Sequence, residues 1–150
     1  DYKYHHIYQG KNSRLDEMQP AFLSAKLPYL DKMDAERRRI AQMYLTGIKN
    51  VVIILPYVIC EVEPVWHIFA VRSKCRNELE KFLNGRDIGT NKHYPIPIHQ
   101  QKCYEDLGIK KGDLPIAEEI SATELSLPMF YGMTDEQVGF VIDSINEFHK

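Results

Sequence analysis

The change of hydrophobic period at Gly47 constrains this chain more than any other feature. Before it, Leu15, Met18, Phe22, Leu27, Leu30 and Met33 recur at helical spacing, and Ile40, Met43 and Tyr44 resume the stripe. After it, residues 51–57 form a β-branched run and residues 65–72 alternate, with Val65, His67, Phe69 and Val71 on one face. A helical stripe that gives way to strand periodicity predicts an α+β fold, a small and mostly antiparallel sheet with helices packed on it. Trp66, Ile68 and Ala70 are apolar as well, so both faces of that strand are expected to be covered. The 150 residues suffice for one domain with its own core, because a chain this long buries roughly two thirds of its unfolded surface.

The chain divides into an irregular polar and aromatic arm over residues 1–12, one helix or two in tandem over 13–47, and an α+β domain over 48–150. Ser13 is placed as an N-cap, with Asp16 three residues on in a box-like position. Pro20 and Pro28 interrupt the helical stripe. A proline in a regular helix interior costs about 3 kcal/mol, so a kink or break is expected near Pro28. Further on, a short helix over 76–83 buries Leu79, Phe82 and Leu83 and stops at Gly85, and residues 88–94 read as another strand. Residues 100–107 read as a short helix ended by Gly108. Asp113 caps a helix with Pro115 in its first turn and Ile116, Ile120 and Thr123 facing inward. Residues 125–130 read as a short extended piece held by Pro128. Finally, Thr134-Asp135-Glu136-Gln137 is a capping box that opens a helix burying Val138, Val141, Ile142, Ile145 and Phe148.

Charge excludes some functions. The net charge of -2 gives no basic field for nucleic acid or an anionic membrane. No run approaches the roughly 18 apolar residues of a membrane span. Cys60, Cys75 and Cys103 are odd in number and far apart, which is neither a disulfide framework nor a zinc pattern, and reads as reduced thiols in a cytoplasmic protein. The chain begins with Asp rather than Met and carries no signal pattern, so a truncated or processed chain is expected.

Two segments can carry chemistry. In Gly10-Lys11-Asn12-Ser13-Arg14, Asn12 lies between a glycine and the expected helix start, and reads either as a turn residue or as an amide offered outward. The helix end beside Ser13 and Arg14 is a natural anion site, because free amides and the helix dipole both favour negative charge. In His93-Tyr94-Pro95-Ile96-Pro97-Ile98-His99-Gln100, two prolines enforce an extended stretch, so both histidines and the Tyr94 hydroxyl are expected to face one cleft. Their spacing is poor for a metal, and no metal is expected. His67, among apolar neighbours, reads as a core histidine with a satisfied ring. His5 and His6 read as exposed. Arg37, Arg38 and Arg39 fan over about 200° of the helix and form no single patch, with Asp34 as the expected partner of Arg38.

Taken together, the Gly-Lys-Asn-Ser-Arg-Leu-Asp-Glu-Met-Gln stretch and the His-Tyr-Pro-Ile-Pro-Ile-His-Gln stretch resemble the DegT/DnrJ/EryC1/StrS family, aminotransferases that use pyridoxal phosphate (PLP) and act on nucleotide-linked keto sugars. The resemblance runs from Gly10 to the last helix, and departs from the family's Gln-Ala-Ala by reading Gln19-Pro20-Ala21. It implies the C-terminal domain of a fold-type I aminotransferase together with its long linking helix, and a homodimer in which Asn12 reaches the PLP phosphate of the neighbouring subunit. It also implies that His93, Tyr94, His99 and Arg14 lie at the substrate, a nucleotide-linked keto deoxy sugar aminated at C3 with glutamate as the amino donor. Thr90 resembles a position near that substrate. In the family the Schiff-base lysine lies upstream of the first motif, so the chain alone is expected to be inactive. The alternative is a stand-alone, non-catalytic module that binds a nucleotide sugar or a protein.

Overall fold

The computed structural model describes residues 3–13 and 15–149. The helical stripe becomes two helices, α1 (Met18–Lys26) and α2 (Leu30–Gly47), joined by a 3-10 turn over Leu27–Tyr29 that contains Pro28. The break falls where the proline removes an amide donor, and Pro20 is tolerated because it sits in the first turn of α1, where an N–H would have no intrahelical acceptor and no hydrogen bond is lost. The expected cap at Ser13 is corrected: α1 starts at Met18, and the Asp16 carboxylate accepts from Met18 N and Gln19 N, both at 3.1 Å. That carboxylate fills the helix end on which an anion site was expected.

The sheet is smaller than its sequence suggests. β1 (Phe69–Arg72) and β2 (Glu124–Leu127) pair antiparallel, with Phe69 opposite Leu127 and Val71 opposite Leu125. Residues 51–57 and 88–94 are not strands. Each contributes one isolated antiparallel bridge, Ile54 to Arg72 and Asn91 to Ser126, so the ladder is widened on both sides without full pairing. The run at 51–57 is limited by Pro56 and by solvent, since Val51 is 95% exposed. Strand alternation then sorts the side chains. Phe69, Val71, Leu125 and Leu127 enter the core, whereas Glu124 and Ser126 take the opposite face.

Helix α3 (Arg76–Asn84) buries Leu79 and Leu83 and ends at Gly85 as expected. Two 3-10 turns, Ile98–Gln100 and Lys102–Leu107, stand where one short helix was expected, and Gly108 ends the second at a φ of 69°. Helix α4 (Pro115–Thr123) buries none of its residues. Ile116 and Ile120 face solvent, against expectation, and Asp113 accepts from Lys110 N rather than capping the helix. Helix α5 (Asp135–Asn146) carries the capping box, Thr134 and Gln137 each bonding the other's backbone N–H, and buries Val138, Val141 and Ile145 against α2.

The core lies between the C-terminal half of α2, α3, α5 and the inner sheet face. Ile40, Tyr44, Phe69, Leu79, Leu83, Leu125 and Ile145 are fully buried there. Tyr44 stacks on Phe69 at 5.0 Å between ring centroids, and its hydroxyl donates to Pro128 O at 2.8 Å. Arg37, Arg38 and Arg39 do fan apart. Arg37 donates to Trp66 O, His67 O and Met129 O, and Arg39 pairs with Glu36 and Asp135. The ion-pair partner of Arg38 is Glu63 rather than Asp34. The three cysteines are free thiols.

Candidate functional site

Residues 89–93 run beside the free edge of β2 and line with it a cleft of about 310 Å³, whose walls include His67, Thr90, Asn91, His93, Ser126 and Met129. The sequence pattern dictates this placement. With Leu125 and Leu127 turned to the core, Glu124 and Ser126 must face the other way, and the Asn91 bridge to Ser126 sets residues 91–93 beside them, within reach of their side chains. Arg37 on α2 braces the wall by bonding the carbonyls of His67 and Met129 at 3.3 and 3.2 Å. His67 is therefore corrected: it is an exposed residue of the cleft rim, not a core histidine, because the ladder starts only at Phe69.

His93 is at the centre of a polar network. Its backbone N–H donates to Glu124 Oε2 at 2.8 Å, its Nδ1 lies 2.8 Å from Ser126 Oγ, and its Nε2 lies 3.0 Å from Asn91 Nδ2. Ser126 Oγ also bonds Glu124 Oε1. Glu124 and Ser126 are each only 4% exposed. Thr90 Oγ1, buried in the same wall, has no hydrogen-bond partner among the described residues.

The expected single cleft for His93, Tyr94 and His99 is not what the chain builds. Only His93 lines it. Tyr94 is 56% exposed and packs edge-on against Tyr4 at 5.0 Å. His99 is buried on the other side of the prolines, with Nε2 3.1 Å from Glu118 Oε1. The Gly112 backbone N–H, with the imidazole of His99 beside it, holds the Glu118 carboxyl below the usual carboxylate range.

Residues 3–12 of the arm form neither helix nor strand, but they are docked. Gln101 Oε1 accepts from His6 N, Gln101 Nε2 donates to Tyr4 O, and Cys103 N donates to His6 O. This lays Tyr4 over His93 and Tyr94, and the Tyr4 hydroxyl lies 3.3 Å from Asn91 Nδ2. Asn12 lies exposed on the same arm, further along, and Arg14 is outside the described residues. Sequence reasoning missed Tyr4, Glu124 and Ser126. The alternation Glu-Leu-Ser-Leu was a signal that residues 124 and 126 share a face, but nothing local tied that face to His93. Among the described residues no group of three or more His, Cys, Asp or Glu is placed to hold a metal ion, and no helix is long and apolar enough to cross a membrane.

The fold defines the class: an α+β chain of the kind found in solved aminotransferase structures. The chain superposes on Streptomyces venezuelae DesV, solved in complex with a ketimine intermediate, with a TM-score of 0.86 and 40% identity over 97% of this chain and 40% of that one. Residues 1–146 match the model of the DegT/DnrJ/EryC1/StrS aminotransferase family, and the chain belongs to that family. It is 43% identical, over 97% of its length, to the dTDP-3-amino-3,6-dideoxy-alpha-D-galactopyranose transaminase of Aneurinibacillus thermoaerophilus, and covers 40% of that protein. It is 40% identical, also over 97% of its length, to the dTDP-3-amino-3,4,6-trideoxy-alpha-D-glucose transaminase of Streptomyces venezuelae, and covers 39% of it. The chain thus spans about two fifths of the length of these curated relatives, their C-terminal portion.

Proposed function

We propose that this chain is the C-terminal part of a PLP-dependent aminotransferase that aminates C3 of a nucleotide-linked keto deoxy sugar, with glutamate as the amino donor. The observation that carries the reading is the 43% identity, sustained over 97% of the chain, to an enzyme named for a dTDP-3-amino sugar. The cleft agrees with a positioning role: imidazole, amide and hydroxyl groups line it and no lysine does. The resemblance to the family puts the lysine that holds the cofactor upstream of the Gly10–Arg14 motif, outside these 150 residues, so on this reading the chain alone does not transaminate.

The cofactor, when bound, supplies the electron sink for amino transfer. This chain's own contribution to holding it is Asn12, whose exposed position on the arm suits an amide donor to a phosphate in a second subunit of a homodimer. The end of α1 does not suit that phosphate, because Asp16 already accepts from Met18 N and Gln19 N. Tyr94, exposed beside Tyr4, offers its hydroxyl to the sugar nucleotide. His93 and His99, each bonded to protein groups, shape the walls around it.

The test is to isolate the protein from its source, weigh it, and assay transfer from glutamate to a dTDP-linked 3-keto deoxy sugar. A mass well above the 17.5 kDa of this chain, with 2-oxoglutarate formed and lost on Asn12→Ala, is the expected result. A 17.5 kDa product that binds the sugar nucleotide saturably and forms no 2-oxoglutarate would replace this reading with a binding module.

A further inference from the structure

The network around His93 has a direction at every bond. The Lys92 backbone N–H donates to Asn91 Oδ1 at 2.9 Å, which fixes the amide so that Asn91 Nδ2 faces His93 Nε2. An amide nitrogen only donates, so Nε2 must accept and the ring proton sits on Nδ1. Nδ1–H then donates to Ser126 Oγ, and the Ser126 hydroxyl turns its own hydrogen to Glu124 Oε1. The second carboxylate oxygen, Oε2, accepts from the His93 backbone N–H. At the far end, the remaining Asn91 amide hydrogen reaches the Tyr4 hydroxyl. Burial of Glu124 and Ser126 keeps solvent from competing for these bonds.

A serine, a histidine and a carboxylate together call for comparison with a nucleophilic triad, and the order rules that out. In such a triad the imidazole lies between serine and acid and takes the serine proton. Here Ser126 lies in the middle and its proton is directed to Glu124. The chain transmits orientation and activates no nucleophile.

We propose that Glu124, acting through Ser126, sets His93 in its Nδ1–H tautomer with both ring nitrogens committed to the protein, which makes His93 a positioning residue of the cleft. The proposal stands on hydrogen-bond geometry, and a transaminase or a binding module would carry the same tautomer. It also says what a carboxylate at 124 does that an amide would not: both its oxygens accept. Glutamine has one acceptor oxygen, and the His93 backbone N–H, which can only donate, would claim it. The glutamine NH₂ would then face Ser126, which accepts there and, having lost its carboxylate acceptor, turns its own hydrogen to Nδ1. Glu124→Gln therefore reverses the chain and moves the ring proton to Nε2, against the Asn91 amide.

The measurement is a long-range 1H–15N correlation spectrum of the histidine rings in the 15N-labelled 150-residue chain, with His93 assigned by the signal lost in His93→Gln. The expected result is Nδ1–H at His93 in the native protein and Nε2–H in Glu124→Gln. An Nε2–H form or a tautomer average in the native protein overturns the proposal, as does a folded Glu124→Gln that retains Nδ1–H. Should that variant fail to fold, Ser126→Ala decides in its place: loss of the single Nδ1–H form supports the proposal, and a folded Ser126→Ala that keeps it overturns the proposal. The readout needs no catalysis, so its failure is distinct from failure of the aminotransferase reading.

Discussion

At the scale of single residues, Tyr44 shows most clearly how a polar atom is accommodated in this core. Its ring is fully buried against Phe69, and its hydroxyl is satisfied by the Pro128 carbonyl. Burial pushes the phenol well above its ordinary range, because the phenolate would lose its hydration. The sign of the linkage follows. The folded state holds the proton more tightly than the unfolded chain, so Tyr44 contributes its full stabilisation below about pH 10, the unfolded value, and loses it as pH rises beyond that. Tyr44→Phe is expected to lower stability near pH 7 by about 1–2 kcal/mol, by leaving the Pro128 carbonyl unpaired. It should also flatten the alkaline decline. Urea titrations at a series of pH values from neutral to alkaline measure both effects, and a variant that matches the native curve throughout would show that the hydroxyl does neither.

At the scale of elements, the packing of α2 on α5 turns on Gly47. A Cβ placed there would lie 2.8 Å from Ile142 Cδ1 and 3.0 Å from Cγ2. Alanine improves helix propensity by up to about 1 kcal/mol, but overpacking costs about 1–3 kcal/mol, so Gly47→Ala is expected to destabilise the chain. Trimming the neighbour should reverse this: Gly47→Ala with Ile142→Val removes the 2.8 Å contact and should regain most of the loss in thermal unfolding. If the single variant is the more stable, the helices are not in close register at this point. The same elements show what a sequence can disclose. Helix α5 was readable because its capping box and its stripe are both local. The break at Pro28 and the stops at Gly47 and Gly85 were readable for the same reason. The strands were not, because a β-branched run becomes a strand only when a distant partner pairs with it. Residues 51–57 find one bridge, and only residues 69–72 find a full partner, more than fifty positions on. The site divides in the same way. His93 stood out by its motif, whereas Glu124, 31 residues away, and Ser126, 33 away, are joined to it only by the fold.

At the scale of the molecule, apolar surface is distributed unevenly. The C-terminal half of α2 lies in the core, but α1 buries no residue, and Met18, Phe22, Leu23, Leu27 and Tyr29 are each 59–66% exposed. The N-terminal part of the helical stripe read from the sequence is therefore present without being covered by anything among the described residues. A nine-residue helix has little stability without a packed face, so α1 should open far more readily than α5, whose stripe is buried against α2 and α3. Amide hydrogen exchange on the chain at high dilution is expected to show α1 exchanging nearly as fast as an unfolded peptide, while the amides of Val141 and Ile145 are protected by the full stability of the core. Raising the protein concentration should protect α1 if its exposed face is satisfied by self-association, and Phe22→Glu should remove that protection while α5 is unchanged. Equal protection of α1 and α5 at the lowest concentration would mean that α1 is held by the chain itself, and that its exposed side chains are not what sets its stability.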